Sequence, residues 1–375
     1  MKKNMKTICV DARILPIFGM GSILRQLLYL FREQPIRWRA LVTRDCKDLL
    51  WDWVEPIWVD YRINSIQEQI HLPFHVPVCD LFWSPNYNIP LLPTLARKRM
   101  VTMHDIFCFT YPVKKLSLKL VCAKHLLKKA ARLSHAVITS SAFSKQAICK
   151  YTKVQESKVR VIPLAVDTSV FLPSSDLTQA KQILSENYRL RKKFLLYVGR
   201  LATHKNEKFL CKAFERLHLL GCKDIDLVFV GKYQGCPEQQ QLKQRLLTEF
   251  STIKNHMHFI GPISEKQLAY FYQTAECLIF PSTHEGFGLP PLEAMSSGCP
   301  CIVSNATSIP EVCKEGVLYF NPYDLEAFLS ILINFLQSSK QKEELKSKGL
   351  QQSQNFCWQQ TAQQYLSIID SLITI

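Results

Sequence analysis

The sequence predicts an α/β protein made of two Rossmann-like, doubly wound domains that face each other across a cleft. Its 375 residues exceed one typical core and suit two domains of roughly 100 to 200 residues each. Short β-branched and aromatic runs alternate with longer helical patterns, as in parallel sheets with crossover helices. Hydrophobic residues at 47% and charged residues at 21% are globular values, which exclude the disordered and fibrous classes.

The first half shows this alternation less cleanly than the second. Its predicted strands are Thr7 to Val10, Arg39 to Thr43, Leu81 to Trp83, Met100 to Met103, Ala136 to Thr139 and Val159 to Ile162. Pro173-Ser174-Ser175 is the predicted linker, because proline and serine punctuate the chain there and the charge balance shifts. We therefore predict an N-terminal domain over residues 1–172, completed by an amphipathic C-terminal helix within residues 358–375.

The second half, residues 173–357, is predicted to form the other domain. Its predicted strands are Phe194 to Val198, Leu227 to Val230, His258 to Ile260, Leu278 to Phe280, Cys301 to Ser304 and Leu318 to Phe320. The helical patterns between them are Lys205 to Leu219, Glu238 to Glu249, Glu265 to Thr274 and Leu325 to Leu336. Ligands of such folds bind outside the carboxyl ends of the strands, so the site is expected between the two domains.

The positive charge lies almost wholly in the first half. Residues 1–172 carry 26 Lys and Arg against 12 Asp and Glu, whereas residues 173–375 carry 21 against 19. This asymmetry favours an anionic partner such as phospholipid, a phosphorylated acceptor or nucleic acid, although a basic surface that only aids solubility is an alternative. No nucleic-acid-binding module is recognised, so nucleic acid is not an expected partner.

The segment from Lys114 to Arg132 is the most basic stretch of the chain. It has seven Lys or Arg, one His and no acid, with leucines interleaved. This pattern indicates a helix that contacts an anionic membrane surface, and the alternative is a helix whose basic residues form a solvated face.

Other sequence features bear on location and metal content. No apolar run reaches the ~18 to 20 residues needed to cross a bilayer, and Asp11 and Arg13 interrupt the segment that a secretory signal would need. We therefore expect a cytoplasmic protein, with peripheral binding at the inner face of the membrane left open. The 14 cysteines are scattered without a disulfide framework, and Cys299 and Cys301 lack a second pair of zinc ligands.

A glycine-rich turn follows the predicted strand that ends at Phe280. Glu285-Gly286-Phe287-Gly288-Leu289 leads through two prolines into a predicted helix, with Pro291 suited to its first position. The backbone N–H groups of a helix start bind anions, so a sugar diphosphate would fit there. Glu293 follows Glu285 by eight residues, and two carboxylates beside a phosphate site suit the recognition of sugar and ribose hydroxyls. Taken alone, Glu293 could instead be a carboxylate favoured by the helix dipole.

At these residues the chain resembles the retaining glycosyltransferases of family 4, which have the two-domain GT-B fold. The match runs through Glu285 to Met295 (EGFGLPPLEAM), the family's E-x7-E motif, and it includes Pro310-Glu311 and Asn321-Pro322-Tyr323-Asp324 further on. Asp80 to Pro90 and Ser140 to Lys145 are similar to the mannosyltransferase-like branch. The resemblance spans most of the chain.

The resemblance implies roles for the residues of this motif. Glu285 would contact hydroxyls of the donor sugar and Glu293 would bind the ribose. The backbone at Gly286, Phe287, Gly288 and Leu289 would face the sugar and the diphosphate.

Two cations follow the predicted strand that ends at Val198. Arg200 and Lys205 could neutralise a diphosphate leaving group, where fixed positive charge lowers the barrier most. The alternative is a solvated surface pair, but family members place an arginine and a lysine here for that purpose.

In the first half, Val101-Thr102-Met103 runs into His104-Asp105, and a pair of this kind lines the donor-sugar pocket in the family. A buried structural histidine is the alternative. After the first strand, Gly19 and Gly21 resemble the family's glycine loop that closes over the donor phosphates, although a lone Gly-x-Gly is a weak signal.

The expected reaction is transfer of a hexose with retained configuration to a glycan or lipid-linked acceptor in cell-surface polysaccharide or lipopolysaccharide synthesis. The donor would be a nucleotide-sugar, GDP-mannose by analogy or a UDP-sugar, and no cofactor or metal is expected. The alternatives are a nucleotide-sugar epimerase, a glucan synthase or a non-catalytic glycan-binding protein.

Overall fold

The computed structural model describes residues 5–17, 19–63, 65–111, 118–233 and 236–374. The chain divides into two compact units. The first comprises Met1–Leu164 together with Trp358–Ile375, and the second comprises Ala165–Cys357.

The first unit is a parallel sheet flanked by helices. Its strands are β1 (Lys6–Asp11), β2 (Ile36–Val42), β3 (Glu55–Trp58), β4 (Cys79–Ser84), β5 (Ala96–Thr102), β6 (Ala136–Thr139) and β7 (Val159–Val161). Its helices are α1 (Met20–Phe31), α2 (Ile66–His75), α3 (Phe107–Thr110), α4 (Leu118–Leu133), α5 (Ala142–Thr152) and α14 (Trp358–Ile373). The described strands are ordered β3-β2-β1-β4-β5-β6-β7, with Cys9 of β1 beside Arg39 of β2 and Phe82 of β4.

The second unit repeats this architecture. Its strands are β8 (Lys193–Val198), β9 (Ile225–Val230), β10 (Met257–Ile260), β11 (Cys277–Phe280), β12 (Cys301–Ser304) and β13 (Leu318–Phe320). Its helices are α6 (Thr178–Tyr188), α7 (Glu207–Leu219), α8 (Pro237–Glu249), α9 (Glu265–Thr274), α10 (Leu289–Ser296), α11 (Ile309–Cys313), α12 (Leu325–Gln337) and α13 (Ser339–Ser353). The described strands pair in parallel in the order β10-β9-β8-β11-β12-β13.

Helix α12 shows how sequence pattern and core packing combine. The Asp324 carboxylate accepts the backbone N–H of Ala327 at 3.0 Å and so caps the helix. Phe328, Leu332 and Phe335 recur at helical spacing and are fully buried. The Phe328 ring lies 4.4 Å from that of Phe320 on β13. The helix therefore stays in place because its apolar face completes the core of the second unit.

All the predicted strands are present, with ends that differ by a few residues. Strand β3 was missed, because it is a four-residue edge strand that contains Pro56 and alternates between half-buried and exposed positions. Helix α7 begins at Glu207 and not at Lys205, because Thr203–Lys205 forms a 3-10 turn.

The division between the units falls after Leu164, earlier than the predicted linker at Pro173. Contacts with the second unit explain the difference. The Ser296 hydroxyl donates to the carbonyl of Phe171 at 2.6 Å, and the Phe171 ring contacts Tyr272 edge to face. The structure groups the C-terminal helix α14 with the first unit, where the Thr361 hydroxyl donates to the carbonyl of Pro163 at 2.9 Å.

The basic segment predicted for Lys114 to Arg132 is described from Leu118 onward, and residues 112–117 lie outside the described residues. Within it, the ammonium groups of Lys124 and Lys128 lie 5.3 and 5.7 Å from the centre of the Phe109 ring. These two lysines therefore contact the protein's own aromatic surface. None of the helices in the described ranges is both long and apolar enough to cross a membrane.

Candidate functional site

The second unit places the two predicted motifs on neighbouring strands. Strand β8 has β9 on one side and β11 on the other, so the order of the sheet reverses between β8 and β11. Parallel α/β sheets bind ligands at the carboxyl ends of strands beside such a reversal. Arg200 and Lys205 follow β8, and Glu285 follows β11. The topology therefore brings together residues that lie 80 positions apart.

Lys205 and Glu285 are in direct contact. The Nζ atom of Lys205 lies 2.5 Å from Oε1 of Glu285, and both side chains are largely buried. The Lys205 ammonium also lies 5.4 Å from the centre of the Phe280 ring. Burial next to an aromatic ring reduces solvent screening, so the charges of this pair act strongly on a ligand at the same place.

The backbone around Glu285 is held by the loop after β12. The Thr307 hydroxyl accepts the N–H of Glu285 at 3.0 Å. The Ser308 hydroxyl donates to the carbonyl of Glu285 at 3.0 Å and lies 3.1 Å from that of Phe287. Sequence reasoning missed Thr307 and Ser308, although their position just after a predicted strand was an available signal. These contacts fix the glycine turn without using the Glu285 carboxylate.

The helix after the glycine turn begins earlier than predicted. Helix α10 starts at Leu289, and Gly288 precedes it with a φ of 112°, which favours glycine. Pro291 is therefore the third helical residue and not the first. Because Pro290 and Pro291 carry no N–H, an anion at this helix start would have to bind the backbone of residues 286–289.

Glu293 lies on α10 and contacts a buried tyrosine. The Tyr272 hydroxyl donates to Oε2 of Glu293 at 2.9 Å. Burial raises the pKa of Glu293 to about 7, although the hydrogen bond from Tyr272 acts in the opposite direction. When this buried carboxylate is ionised, it lowers the stability of the protein without ligand, because it has lost contact with water. Hydroxyl groups of a ligand that donate hydrogen bonds to it would offset that loss.

Replacing Glu293 by glutamine is expected to flatten the pH dependence of stability. The pKa of Glu293 in the folded protein lies above its ordinary value of 4.5. The contribution of protonated Glu293 to the free energy of unfolding is therefore fully present below about pH 4.5 and is lost as the pH rises through about 7. Between pH 5 and 8 the wild type should lose up to about 3 kcal/mol relative to Glu293→Gln. Urea unfolding across this range measures the difference, with the exposed Glu344→Gln as the control. Parallel curves for the wild type and Glu293→Gln would contradict the expectation.

The loop that carries Arg200 rests on three side chains that sequence reasoning missed. The Tyr197 and Tyr233 hydroxyls donate to the carbonyls of Arg200 and Gly199 at 3.1 and 2.9 Å. The buried amide of Gln239 accepts the N–H of Leu201 at 2.7 Å and donates to its carbonyl at 2.6 Å. The loop is thus anchored by its backbone, while the Arg200 side chain is exposed and available to a ligand.

His204 lies between the two cations in sequence. Burial lowers the pKa of His204 to about 4, and the positive charge of Lys205 adds to this effect. His204 is therefore neutral near pH 7, and the positive charge of this loop comes from Arg200 and Lys205.

In the first unit the order of the sheet reverses between β1 and β4. Gly19 and Gly21 follow β1, and His104 follows β5, the strand beyond β4. His104 and Met20 line the same small cavity of about 10 Å³, with Thr102 and Tyr365. The predicted histidine and the predicted glycine turn are therefore close together.

The two glycines of this turn are required for different structural reasons. Gly19 has a φ of 82° at the start of α1, and a Cβ there would meet nothing. At Gly21 a Cβ would overlap the carbonyl of Leu15, so close packing alone requires a glycine.

His104 and Asp105 differ in environment. Within the described part of the chain Nδ1 of His104 is buried without a hydrogen-bond partner, and burial lowers the pKa of His104. Asp105 is exposed, and its carboxylate accepts the N–H of Phe107 at 3.0 Å, which closes a turn just before α3. His104 is therefore the better placed of the two for contact with a ligand.

The described residues contain no group of three His, Cys, Asp or Glu side chains placed to hold a metal ion. The second unit thus offers two cations, Arg200 and Lys205, and the carboxylate of Glu285, which is paired with Lys205. It also offers a glycine turn at the start of α10 and a second carboxylate, that of Glu293, next to Tyr272.

Comparisons with known proteins identify the class of protein to which this fold and these residues belong. The family model described as "Glycosyl transferases group 1" matches residues 179–352, and the model described as "Glycosyltransferase Family 4" matches residues 71–170. The chain therefore belongs to glycosyltransferase family 4, which confirms the resemblance predicted from the E-x7-E motif.

Individual proteins agree with this assignment. O-antigen chain mannosyltransferase B of Escherichia coli is 28% identical over 76% of this chain and 73% of its own length. Serotype-specific mannosyltransferase WbdA of the same organism is 31% identical over 60% of this chain, which spans only 28% of that longer protein. The structure of Anabaena Alr3699/HepE in complex with UDP-glucose superimposes with a TM-score of 0.76 at 18% identity, covering 98% of this chain and all of that one. The likeness to that structure confirms the fold class.

Proposed function

We propose that the protein transfers a hexose, with retained anomeric configuration, from a nucleotide-sugar to a hydroxyl group of an acceptor. The observation that carries this proposal is the contact between Lys205 and Glu285 at the reversal of the second sheet. A buried cation next to a buried carboxylate offers one group for phosphate oxygens and one for sugar hydroxyls at a single place.

The leaving group is a nucleoside diphosphate, which gains negative charge as the bond to the sugar breaks. Arg200, Lys205 and the backbone at the start of α10 would stabilise that charge, since preorganised donors act most strongly where charge develops. No carboxylate is assigned as a covalent nucleophile. The leaving phosphate would assist deprotonation of the incoming hydroxyl on the same face of the sugar, and the reaction is proposed to need no metal.

The proposed donor is GDP-mannose. The named relatives from Escherichia coli support it, because both are described as mannosyltransferases. A UDP-sugar is the alternative, supported by the UDP-glucose complex of the Anabaena protein with the same fold.

The proposed acceptor is a glycan or lipid-linked glycan in cell-surface polysaccharide or lipopolysaccharide synthesis. The relative described as an O-antigen chain mannosyltransferase supports this class. A cytoplasmic location with peripheral membrane binding is part of the proposal, because lipid-linked acceptors lie at a membrane. The basic segment that ends at Arg132 is one candidate surface for that binding.

Thermal unfolding in the presence of GDP- and UDP-sugars tests the donor. A ligand at about 100 times its dissociation constant should stabilise the fold by ~2.7 kcal/mol. GDP-mannose is expected to raise the melting temperature more than UDP-glucose, and to do so equally with and without a chelator. Greater stabilisation by a UDP-sugar would overturn the choice of donor, and loss of the shift with chelator would overturn metal independence.

An assay with donor but no acceptor separates the alternative enzymes. Release of free sugar by hydrolysis supports a transferase, whereas conversion of the nucleotide-sugar to its epimer would establish an epimerase. Elongation of a glucan primer from a glucose donor would establish a glucan synthase. Binding of a glycan without turnover of any donor would leave a non-catalytic glycan-binding protein.

A further inference from the structure

Helix α2 of the first unit exposes an apolar stripe. Ile66, Ile70 and Phe74 recur every four residues, which places them on one face of the helix. Their exposed fractions are 83%, 52% and 80%, and Val78 just beyond the helix is 71% exposed. Single exposed apolar residues are common, but a continuous row of large ones marks an interaction surface.

The opposite face of α2 is firmly held, so the stripe is not the result of a loosely placed helix. The Ser65 hydroxyl accepts the N–H of Glu68 at 3.1 Å and caps the helix. Leu72 is fully buried in a core cluster with Phe82 of β4. Oε1 of Glu68, also fully buried, lies 2.5 Å from Nη2 of Arg13.

Few charged residues accompany the stripe. From Tyr61 to Val78 the acid is Glu68, whose charge is buried against Arg13, while Arg62 is exposed. The exposed acid that precedes this stretch is Asp60. The exposed charge of residues 61–78 is therefore the positive charge of Arg62.

A second apolar segment adjoins the helix. Leu92 and Leu95 are exposed, and the N–H of Leu91 donates to Oε1 of Gln69 on α2 at 3.3 Å. Arg97 follows and is also exposed, at 3.5 Å from the half-buried Asp80. The apolar surface is thus wider than one helix and is bordered by a further arginine.

We propose that this face, formed by Ile66, Ile70, Phe74 and Val78 with Leu92 and Leu95, inserts into the surface of an anionic lipid bilayer. Protruding aliphatic and aromatic side chains bordered by cations fit the boundary between headgroups and acyl chains. Anionic headgroups complement Arg62, Arg97 and the excess positive charge of residues 1–172. This surface differs from the basic segment that ends at Arg132, two of whose lysines lie against Phe109.

Sedimentation with vesicles tests this proposal, using the full chain without donor or acceptor so that the result is independent of transferase activity. The vesicles are phosphatidylcholine alone or with about 30% phosphatidylglycerol. The test variant is Ile70→Ser with Phe74→Ser, and the matched control is Leu219→Ser with Leu220→Ser, an exposed apolar pair at the end of α7. Because all four side chains are exposed, both variants should keep the melting temperature of the wild type.

The wild type and the control are expected to bind the anionic vesicles, and the test variant is expected to bind about tenfold or more weakly. Phe74→Trp should retain binding, because tryptophan also suits the bilayer interface. Equal binding by the test variant and the wild type would overturn the proposal, as would a wild type that binds neither vesicle. Light scattering shows whether the protein is a dimer. A wild-type dimer that becomes a monomer in the test variant would instead indicate that this face is a contact between two copies of the chain.

Discussion

Glu285→Gln is expected to lower kcat for sugar transfer by about 10²- to 10³-fold while the protein stays folded. Glutamine keeps the size of the side chain but removes the negative charge that contacts Lys205 and that would bind the donor hydroxyls. The backbone of residue 285 is fixed by Thr307 and Ser308, which do not depend on the carboxylate. Loss of activity without loss of the fold is therefore the expected pattern, and Glu285→Ala should show it too.

Initial rates of transfer and the midpoint of urea unfolding measure the two effects separately. The control is Glu344→Gln, an exposed acid on α13, which should change neither quantity. A stable Glu285→Gln variant with full activity would refute the assignment of this residue.

Lys205→Met is expected to lower kcat by a similar factor of about 10²- to 10³-fold, because a buried cation would no longer face the diphosphate as its charge develops. The substitution also leaves the largely buried Glu285 without its partner, which should destabilise the second unit by about 1 kcal/mol or more. The control is Lys208→Met on α7, three residues further along the chain, whose ammonium pairs with the exposed Glu249.

The double variant Glu285→Gln with Lys205→Met distinguishes joint action from independent action. If the two side chains act as a unit, the losses in kcat will be far from additive, and the double variant will resemble either single one. Additive losses would mean that the contact between them has no part in the reaction. Unchanged kcat in Lys205→Met would remove this lysine from the mechanism.

Several residues had local signals in the sequence that were sufficient to place them. Glu285, Gly288 and Glu293 lie in one continuous motif, and Arg200 and Lys205 lie in another, so strand and turn patterns were enough. Pro291 was misplaced by two positions, because several prolines and glycines in a row allow more than one helix start. Strand β3 was missed because an edge strand needs little burial and so leaves a weak pattern.

The two α/β units can be predicted from the sequence alone, because alternation of apolar runs and turn residues is a local property. The family followed from the resemblance of the E-x7-E motif, which is one continuous stretch. Which distant residues meet depends on the folded structure. It placed Lys205 against Glu285, set Thr307 and Ser308 under the glycine turn, and supported the Arg200 loop with Tyr197, Tyr233 and Gln239. It also exposed one face of α2. Such contacts depend on strand order and on burial, which are properties of the folded chain as a whole and cannot be read from local spacing alone.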